Sequence, residues 1–263
     1  MLFDGRPTMR ALLSVLIALV PLLLAGPANA AEVVRLRADA WCPYNCDPKA
    51  ERPGYMIEIM RHVFPDGGID YQLLPWSRAV DEARAGRIDA VAGATAADGE
   101  GLVFGQQSIG VTTTIIITRR GGTWRYAGLQ SLDGKRLGAV KDYSYGEELD
   151  AYIQAHAADS TRLELAAGED VTDQNLKKLL TGRVDAIVED MNVAGFALAA
   201  QAIDGLVDIQ PINEGTPLYV AFAPGPKGAA RAQALDEGIL ALRRSGELAR
   251  IMARYGLGDW QKP

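Results

Sequence analysis

Apolar and polar positions change period repeatedly along the chain, and the most informative change lies over 75–95. Residues 75–85 read as a short helix with Ser77 as its N-cap. Gly86 supplies a C-terminal glycine stop, and 88–92 is a continuous apolar strand run. The same pattern returns over 175–190. There Leu176, Leu179 and Leu180 make the helix stripe, Gly182 stops it, and 184–188 is the strand. Two copies of Gly-Arg-(Ile/Val)-Asp-Ala imply two similar α/β halves.

The rest of the pattern agrees. Val34, Leu36 and Ala38 alternate in a first strand over 33–38, and Ile57, Met60, Val63 and Phe64 mark one face of a helix over 54–64. Further strands are expected over 69–74, 111–118, 136–140, 163–166, 206–209 and 217–223, the run 111–118 being almost wholly β-branched. Further helices are expected over 147–157, 193–202, 229–244 and 247–255, with 99–110 as loop. Strands alternating with helices imply an α/β fold of mostly parallel sheets covered on both faces. Ligands of such sheets sit at the carboxyl ends of the strands. The stretches to read are therefore 39–44, 75–76, 93–95, 142–145 and 189–190, where aromatic and charged residues concentrate.

Composition adds the compartment. The 263 residues carry a net charge of −6, and removing 1–30, with Arg6, Arg10 and Asp4, takes it to −7. A mildly acidic chain without basic runs gives no support for nucleic acid or an anionic membrane as partner. Arg6 and Arg10 precede the apolar run 11–25, and Ala28-Asn29-Ala30 follows. That is an export signal cut after Ala30 rather than a retained anchor, with Met9 as an alternative start. Cys42 and Cys46 are the only cysteines. In an exported chain they read as a disulfide closing a small loop, since the spacing is not the redox Cys-x-x-Cys. His62 and His156 stand at no ligand spacing, so neither a metal nor another cofactor is expected.

Several segments together resemble the bacterial type II periplasmic solute-binding proteins of the polar-amino-acid ABC transporter group, the family 3 extracellular solute-binding proteins. They are Gly54-Tyr55-Met56-Ile57-Glu58-Ile59-Met60, the stretch 74–90, Ser131-Leu132-Asp133-Gly134-Lys135-Arg136-Leu137-Gly138, the echo 182–190, and the ending 244–251 with Tyr255-Gly256-Leu257. The resemblance implies a two-lobed fold with a hinged cleft, lobe 1 comprising 31–110 plus 218–263 and lobe 2 comprising 111–217. It implies a monomeric, non-catalytic periplasmic protein that closes on a small-molecule ligand and delivers it to an inner-membrane permease. It places Asp39, Trp41, Tyr44, Trp76, Thr95, Ser144 and Asp190 at ligand-facing positions, Asp190 taking an amino group.

Other readings come from the residues themselves. Arg78, a cation in a first helical turn, needs an anionic partner, either in the cleft or on lobe 1. Ser144 and Tyr145 open a helix whose free N–H groups could hold a ligand oxygen. Glu189 is expected to point elsewhere, and Asp89 and Asp185 to satisfy backbone or arginine groups. The family's carboxylate-binding arginine is missing, since no Arg or Lys occurs over 88–118. An amine-bearing or hydroxyl-rich solute therefore fits better than an ordinary α-amino acid. The competing readings are a dehydratase-like enzyme on the same fold, drafting Glu58, Asp98, Glu100 or Asp190 as acid or base, and a sensor presenting its closed form to a membrane receptor.

Overall fold

The computed structural model describes residues 1–2, 32–65, 68–168 and 170–261; the expected signal cleavage site and the alternative start Met9 lie outside them. The elements run β1 (Val34–Ala38), α1 (Tyr55–Val63), β2 (Ile69–Leu73), α2 (Trp76–Arg84), β3 (Ala90–Ala94), β4 (Val103–Phe104), β5 (Gly110–Thr112) and β6 (Thr114–Arg119). They continue with β7 (Leu137–Val140), α3 (Glu147–His156), β8 (Leu163–Ala166), α4 (Val171–Leu180), β9 (Ala186–Asp190), α5 (Met191–Gln201), β10 (Val207–Pro211), β11 (Thr216–Phe222), α6 (Pro226–Ser245) and α7 (Glu247–Ala253).

Two sheets form. The first has the order β2-β1-β3-β11-β4, with β5 pairing onto β11; the second has the order β10-β6-β9-β7-β8. Each holds a parallel trio, β2-β1-β3 and β8-β7-β9, with Leu36 opposite Ala90 in one and Leu137 opposite Ala186 in the other. Beside each trio runs an antiparallel strand, β11 on β3 and β6 on β9. The expected mostly parallel sheets are thus mixed. The chain crosses between them in two extended segments, and a strand that arrives by crossing cannot share the direction of a right-handed βαβ unit.

The β-branched run 111–118 is two strands rather than one. β5 joins the first sheet and β6 the second, and the break at Thr113 arises because its amide and carbonyl turn to the start of α5. Its N–H donates to Asp190 and its carbonyl accepts from Met191 N–H. Both repeat strands also begin two residues later than the apolar run suggests. In the first, Arg87 N–H and Ile88 N–H return to the Glu82 carbonyl; in the second, Arg183 N–H and Val184 N–H return to the Lys178 carbonyl. Ile88 and Val184 are buried, but their backbones close the helix. Pro75 rather than Ser77 caps α2, its carbonyl accepting from Ala79 N–H.

Each sheet is covered on both faces. Over the first, α1, α6 and α7 bury Ile57, Met60, Leu235, Ile239 and Ile251 against Leu36, Val220 and Phe222, while Ala79 and Ala83 of α2 cover Val91 and Ala221. Over the second, Leu149 and Tyr152 of α3 meet Leu137 and Val188, and Leu176, Leu179 and Leu198 meet Ile115, Ile117 and Ile187. The carboxyl ends of both trios are left to loops, and two of those loops carry the groups that meet between the sheets.

Candidate functional site

The loop after β1 is a preformed bracket. Cys42 and Cys46 are joined by a disulfide, and inside it Trp41 N–H donates to Asn45 O at 2.7 Å and Asn45 N–H to Trp41 O at 3.1 Å. The carbonyls of Pro43 and Tyr44 accept from Tyr55 N–H and Met56 N–H at 3.0 and 3.1 Å, two amides that the first turn of α1 leaves free. This seating requires Gly54. Its φ is +108°, and a Cβ there would lie 2.4 Å from Tyr44 O. The bracket holds Tyr44 fully buried and sends its phenol to the second sheet.

There Tyr44 meets Asp190, the last residue of β9. The phenol oxygen lies 3.0 Å from both Asp190 carboxylate oxygens and 2.9 Å from Val111 O, and it accepts from Asn192 Nδ2 at 2.9 Å. Asp190 also accepts from Thr112 Oγ1 at 2.8 Å and from Thr113 N–H at 3.1 Å. As the N-cap of α5 it accepts from Asn192 N–H at 2.8 Å and Val193 N–H at 2.9 Å. Burial pushes the Asp190 carboxyl upward in pKa and these donors pull it back. Burial first, and then the Asp190 charge, push the Tyr44 phenol up.

Two further groups sense each other from the two sheets. Burial raises the pKa of the Asp39 carboxyl, just past β1. Burial first, and then the Asp39 charge, raise the hydroxyl of Tyr143, which follows β7. Asp39 also borders an open cavity of about 180 Å³ with Ala40, Leu73, Leu74 and Pro75. Trp41 stacks on Tyr44 with centroids 4.3 Å apart. Its benzo edge lies over Gly93, where φ is +91° and a Cβ would fall 3.7 Å from Trp41 Cε3 and 3.6 Å from Asn45 Oδ1. Trp41 Nε1 and Asn45 Oδ1 are buried and lack a protein hydrogen-bond partner, while Asn45 Nδ2 donates to Asp39 O at 2.7 Å.

Glu189 points away from the Tyr44 contact: it is buried at the exit of β9, accepting from Thr172 Oγ1 of α4 and from Asp190 N–H, each at 2.9 Å. Burial pushes its carboxyl up to about 7. The Glu189 charge in turn helps to raise the phenols of Tyr143 and Tyr145.

The structure therefore brings Asp39, Trp41, Tyr44 and Asp190 together, and it engages most of the other expected contacts elsewhere. Arg78 Nε donates to Glu82 at 2.9 Å, so its anionic partner is a residue of its own helix. Thr95 donates through Oγ1 and N–H to Asp98 Oδ2, both at 2.8 Å. Ser144 Oγ and Tyr145 N–H donate to Asp150 at 2.5 and 2.7 Å. The helix opens only at Glu147, so neither residue offers a free helical N–H. Tyr145 is buried in the second sheet's core, where its hydroxyl accepts from Val140 N–H at 2.9 Å. Trp76 packs beside Leu74 on the α2 cluster, next to Pro75 of the Asp39 cavity.

Three residues of the cluster were not singled out in the sequence: Tyr143, Asn192 and Asn45. Tyr143 lies within the strand exit 142–145, but a stretch of four neighbouring polar and aromatic residues does not say which one turns back into its own core. Of the acids that could serve an enzyme, Glu58 is bound to Arg254 and Tyr255 on the far side of α1, and Asp98 to Thr95. Among the described residues no group of His, Cys, Asp and Glu could hold a metal ion. A separate cavity of about 170 Å³ near Arg125 and Ile209 lies at the β10 edge, away from these strand exits.

No protein-family model and no curated protein sequence matches the chain. Solved structures do. The chain is similar to a substrate-binding protein of an ABC uptake transporter from Streptococcus pneumoniae with bound histidine, at 18% identity and TM-score 0.68, covering 85% of this chain and 92% of that one. It is similar to EhuB in complex with hydroxyectoine, at 20% identity and TM-score 0.65, covering 86% and 89%. It is also similar to a histidine kinase sensor domain that resembles periplasmic binding proteins, at 20% identity and TM-score 0.64, covering 85% and 95%. At these identities the likeness is one of fold, and the fold is the two-lobed α/β architecture of periplasmic binding proteins.

Proposed function

We propose that the chain is a non-catalytic solute-binding protein of the periplasm, exported through the signal over 1–30. It closes two lobes, 31–110 plus 218–263 and 111–217, around a small polar solute and passes it to the permease of an ABC importer. The observation that carries this reading is the meeting of strand exits from both sheets, where Tyr44 of the β1 loop, stacked on Trp41, hydrogen-bonds to Asp190 at the end of β9. A ligand touching both sets stabilises the closed arrangement by its differential affinity for it.

The solute class follows from the charges. Asp39 and Asp190 have no basic partner among the described residues. The run 88–118 supplies no cation either. An amine or a hydroxyl-rich head group satisfies such a site; a carboxylate would be repelled by it. Trp41 offers an aromatic face and a buried indole N–H beside Asp39.

The test is a thermal-shift screen of the mature protein against amines, polyols, sugars and amino acids, with mass spectrometry of whatever co-purifies. Amines or polyols are expected to raise the melting temperature by mass action. Turnover of a hit would replace this reading by an enzyme. The likeness to a kinase sensor domain supports a second reading, a ligand sensor for a membrane receptor. A permease and an ATPase encoded beside the gene favour transport; an adjacent receptor kinase favours sensing.

A further inference from the structure

We propose that Asp190 and Tyr44 form the fixed pivot of the hinge, a contact that holds whether the two lobes are open or closed. The inference rests on the two-lobed reading given above. It assigns Asp190 to the hinge rather than to the solute's amino group.

Three segments converge on the Asp190 carboxylate. The first is the crossing itself. β5 pairs with β11 in the first sheet and β6 with β9 and β10 in the second, so the chain passes between the sheets at Thr113. On this passage Thr112 Oγ1 and Thr113 N–H donate to Asp190, and Thr113 O accepts from Met191 N–H at 2.9 Å. The second is the opening turn of α5, whose Asn192 and Val193 amides donate to the same carboxylate. The third is Tyr44, which arrives from the loop after β1 and also lies 2.9 Å from Val111 O on the crossing strand.

A carboxylate has about four lone-pair sites. The five donors on Asp190, all within 3.1 Å, occupy them, so the acid lends its charge to the cleft but keeps no acceptor for a solute. Tyr44 is equally committed, since its phenol oxygen also accepts from Asn192 Nδ2.

Apolar packing backs the polar contacts. α5 lies over the second sheet, yet Val193 in its first turn is buried in the first sheet's core with Tyr44, Leu218 and Val220. The first crossing is pressed onto α1 where it begins, since a Cβ on Gly110 would lie 2.1 Å from the Tyr55 hydroxyl oxygen. The return crossing is stitched to the same place. Asn213 Oδ1 accepts from Thr114 N–H and Asn213 Nδ2 donates to Thr114 Oγ1, both at 3.0 Å. Rotation of one lobe on the other moves atoms beside the crossings least, so contacts made there survive opening and closing.

The experiment records the distance between spin labels at Ser77→Cys on α2 and Lys177→Cys on α4 by pulsed electron paramagnetic resonance, without additive. It compares the otherwise unaltered protein with Tyr44→Phe, Thr112→Val and Tyr145→Phe. Tyr145→Phe is the control, because it removes a buried hydroxyl contact, to Val140 N–H, away from the crossings. Tyr44→Phe is expected to widen the distance distribution by about half at an unshifted mean, and Thr112→Val to widen it less. Tyr145→Phe is expected to lower the melting temperature and leave both mean and width unchanged. A shifted mean in Tyr44→Phe marks a contact made in only one of the two forms, and it overturns the pivot. So does an unchanged width in Tyr44→Phe, or equal widening in Tyr145→Phe. If Tyr44→Phe does not fold, the isosteric Thr112→Val carries the test with the same outcomes. No solute enters the measurement, so a failed solute screen leaves the pivot standing, and a failed pivot leaves solute binding standing.

Discussion

The two Gly-Arg-x-Asp junctions are built alike and end differently. In the first, Arg35 of β1 donates its N–H and Nε to Asp89, accepts from Asp89 N–H, and donates NH1 to Arg87 O. In the second, Arg136 before β7 donates its N–H to Asp185, accepts from Asp185 N–H, and donates NH1 to Arg183 O. The glycines that stop the helices share the left-handed conformation, with φ of +68° at Gly86 and +76° at Gly182. The aspartates hold these junctions together, as their placement at the strand entrances leads one to expect. Past the strands the likeness stops. β3 leads through Gly93 to Thr95, whose polar groups close locally on Asp98. β9 ends in two buried acids, one tied to the other lobe and one to α4. A junction made of backbone contacts repeats readily, whereas the strand exit is free to diverge because it answers to the opposite lobe.

The sharpest break in this comparison is at Asp190. Asp190→Ala leaves the Tyr44 and Thr112 hydroxyls and the α5 amides unpaired, and about 3–5 kcal/mol of stability is expected to be lost in urea denaturation. Glu189 is next, and it shows as a pH dependence. The folded chain keeps its proton up to about 7, while the unfolded chain releases it near the ordinary 4.5. Between these values the folded state binds more protons, so stability falls as pH rises, by about 3 kcal/mol at most. Glu189→Gln should flatten that slope in urea melts between pH 4.5 and 8.

The shared junction gives the third test. Hydrogen bonds from Arg35 and Arg231 outweigh burial at Asp89 and hold its carboxyl down to about 2. Its contribution is complete above the ordinary 3.8 and is lost as pH falls through about 2. Asp89→Asn is expected to cost about 2 kcal/mol at neutral pH and to remove that acid limb. Asp185→Asn, with no arginine side chain on its carboxylate, should cost under about 1 kcal/mol. Equal losses would mean that the Arg35 and Arg231 side chains add nothing. The smallest effect is at the first strand exit. Thr95→Ala removes one hydroxyl bond to Asp98 and should lower stability by about 1 kcal/mol, with no change in the distance between the lobes.

What the sequence by itself determined is local. Glycine stops, apolar runs and the repeated Gly-Arg-x-Asp-Ala located most of the helices and strands, because helix ends and buried strands depend on nearby residues. The two halves and the disulfide loop were legible in the same way. The two-residue overreach at Ile88 and Val184, the split of the β-branched run at Thr113 and the two-residue β4 were not. In each the hydrophobicity is right, but a backbone hydrogen bond to a distant segment sets the boundary.

The strand-exit rule pointed to the loops whose side chains meet between the sheets at Tyr44 and Asp190, yet it could not say which side chain in each loop crosses to the other sheet. Tyr143 and Tyr145 stand two residues apart with the same chemistry. Tyr145 accepts from Val140 N–H inside its own core, while Tyr143 is raised by burial and by the Asp39 charge, and the chain reaches both through left-handed Asp142. Asp190 likewise reads as a free acid in sequence, and in the fold five donors converge on it. How far an acid is satisfied is a count of donors arriving from elsewhere in the chain, and that count exists only once both sheets are folded.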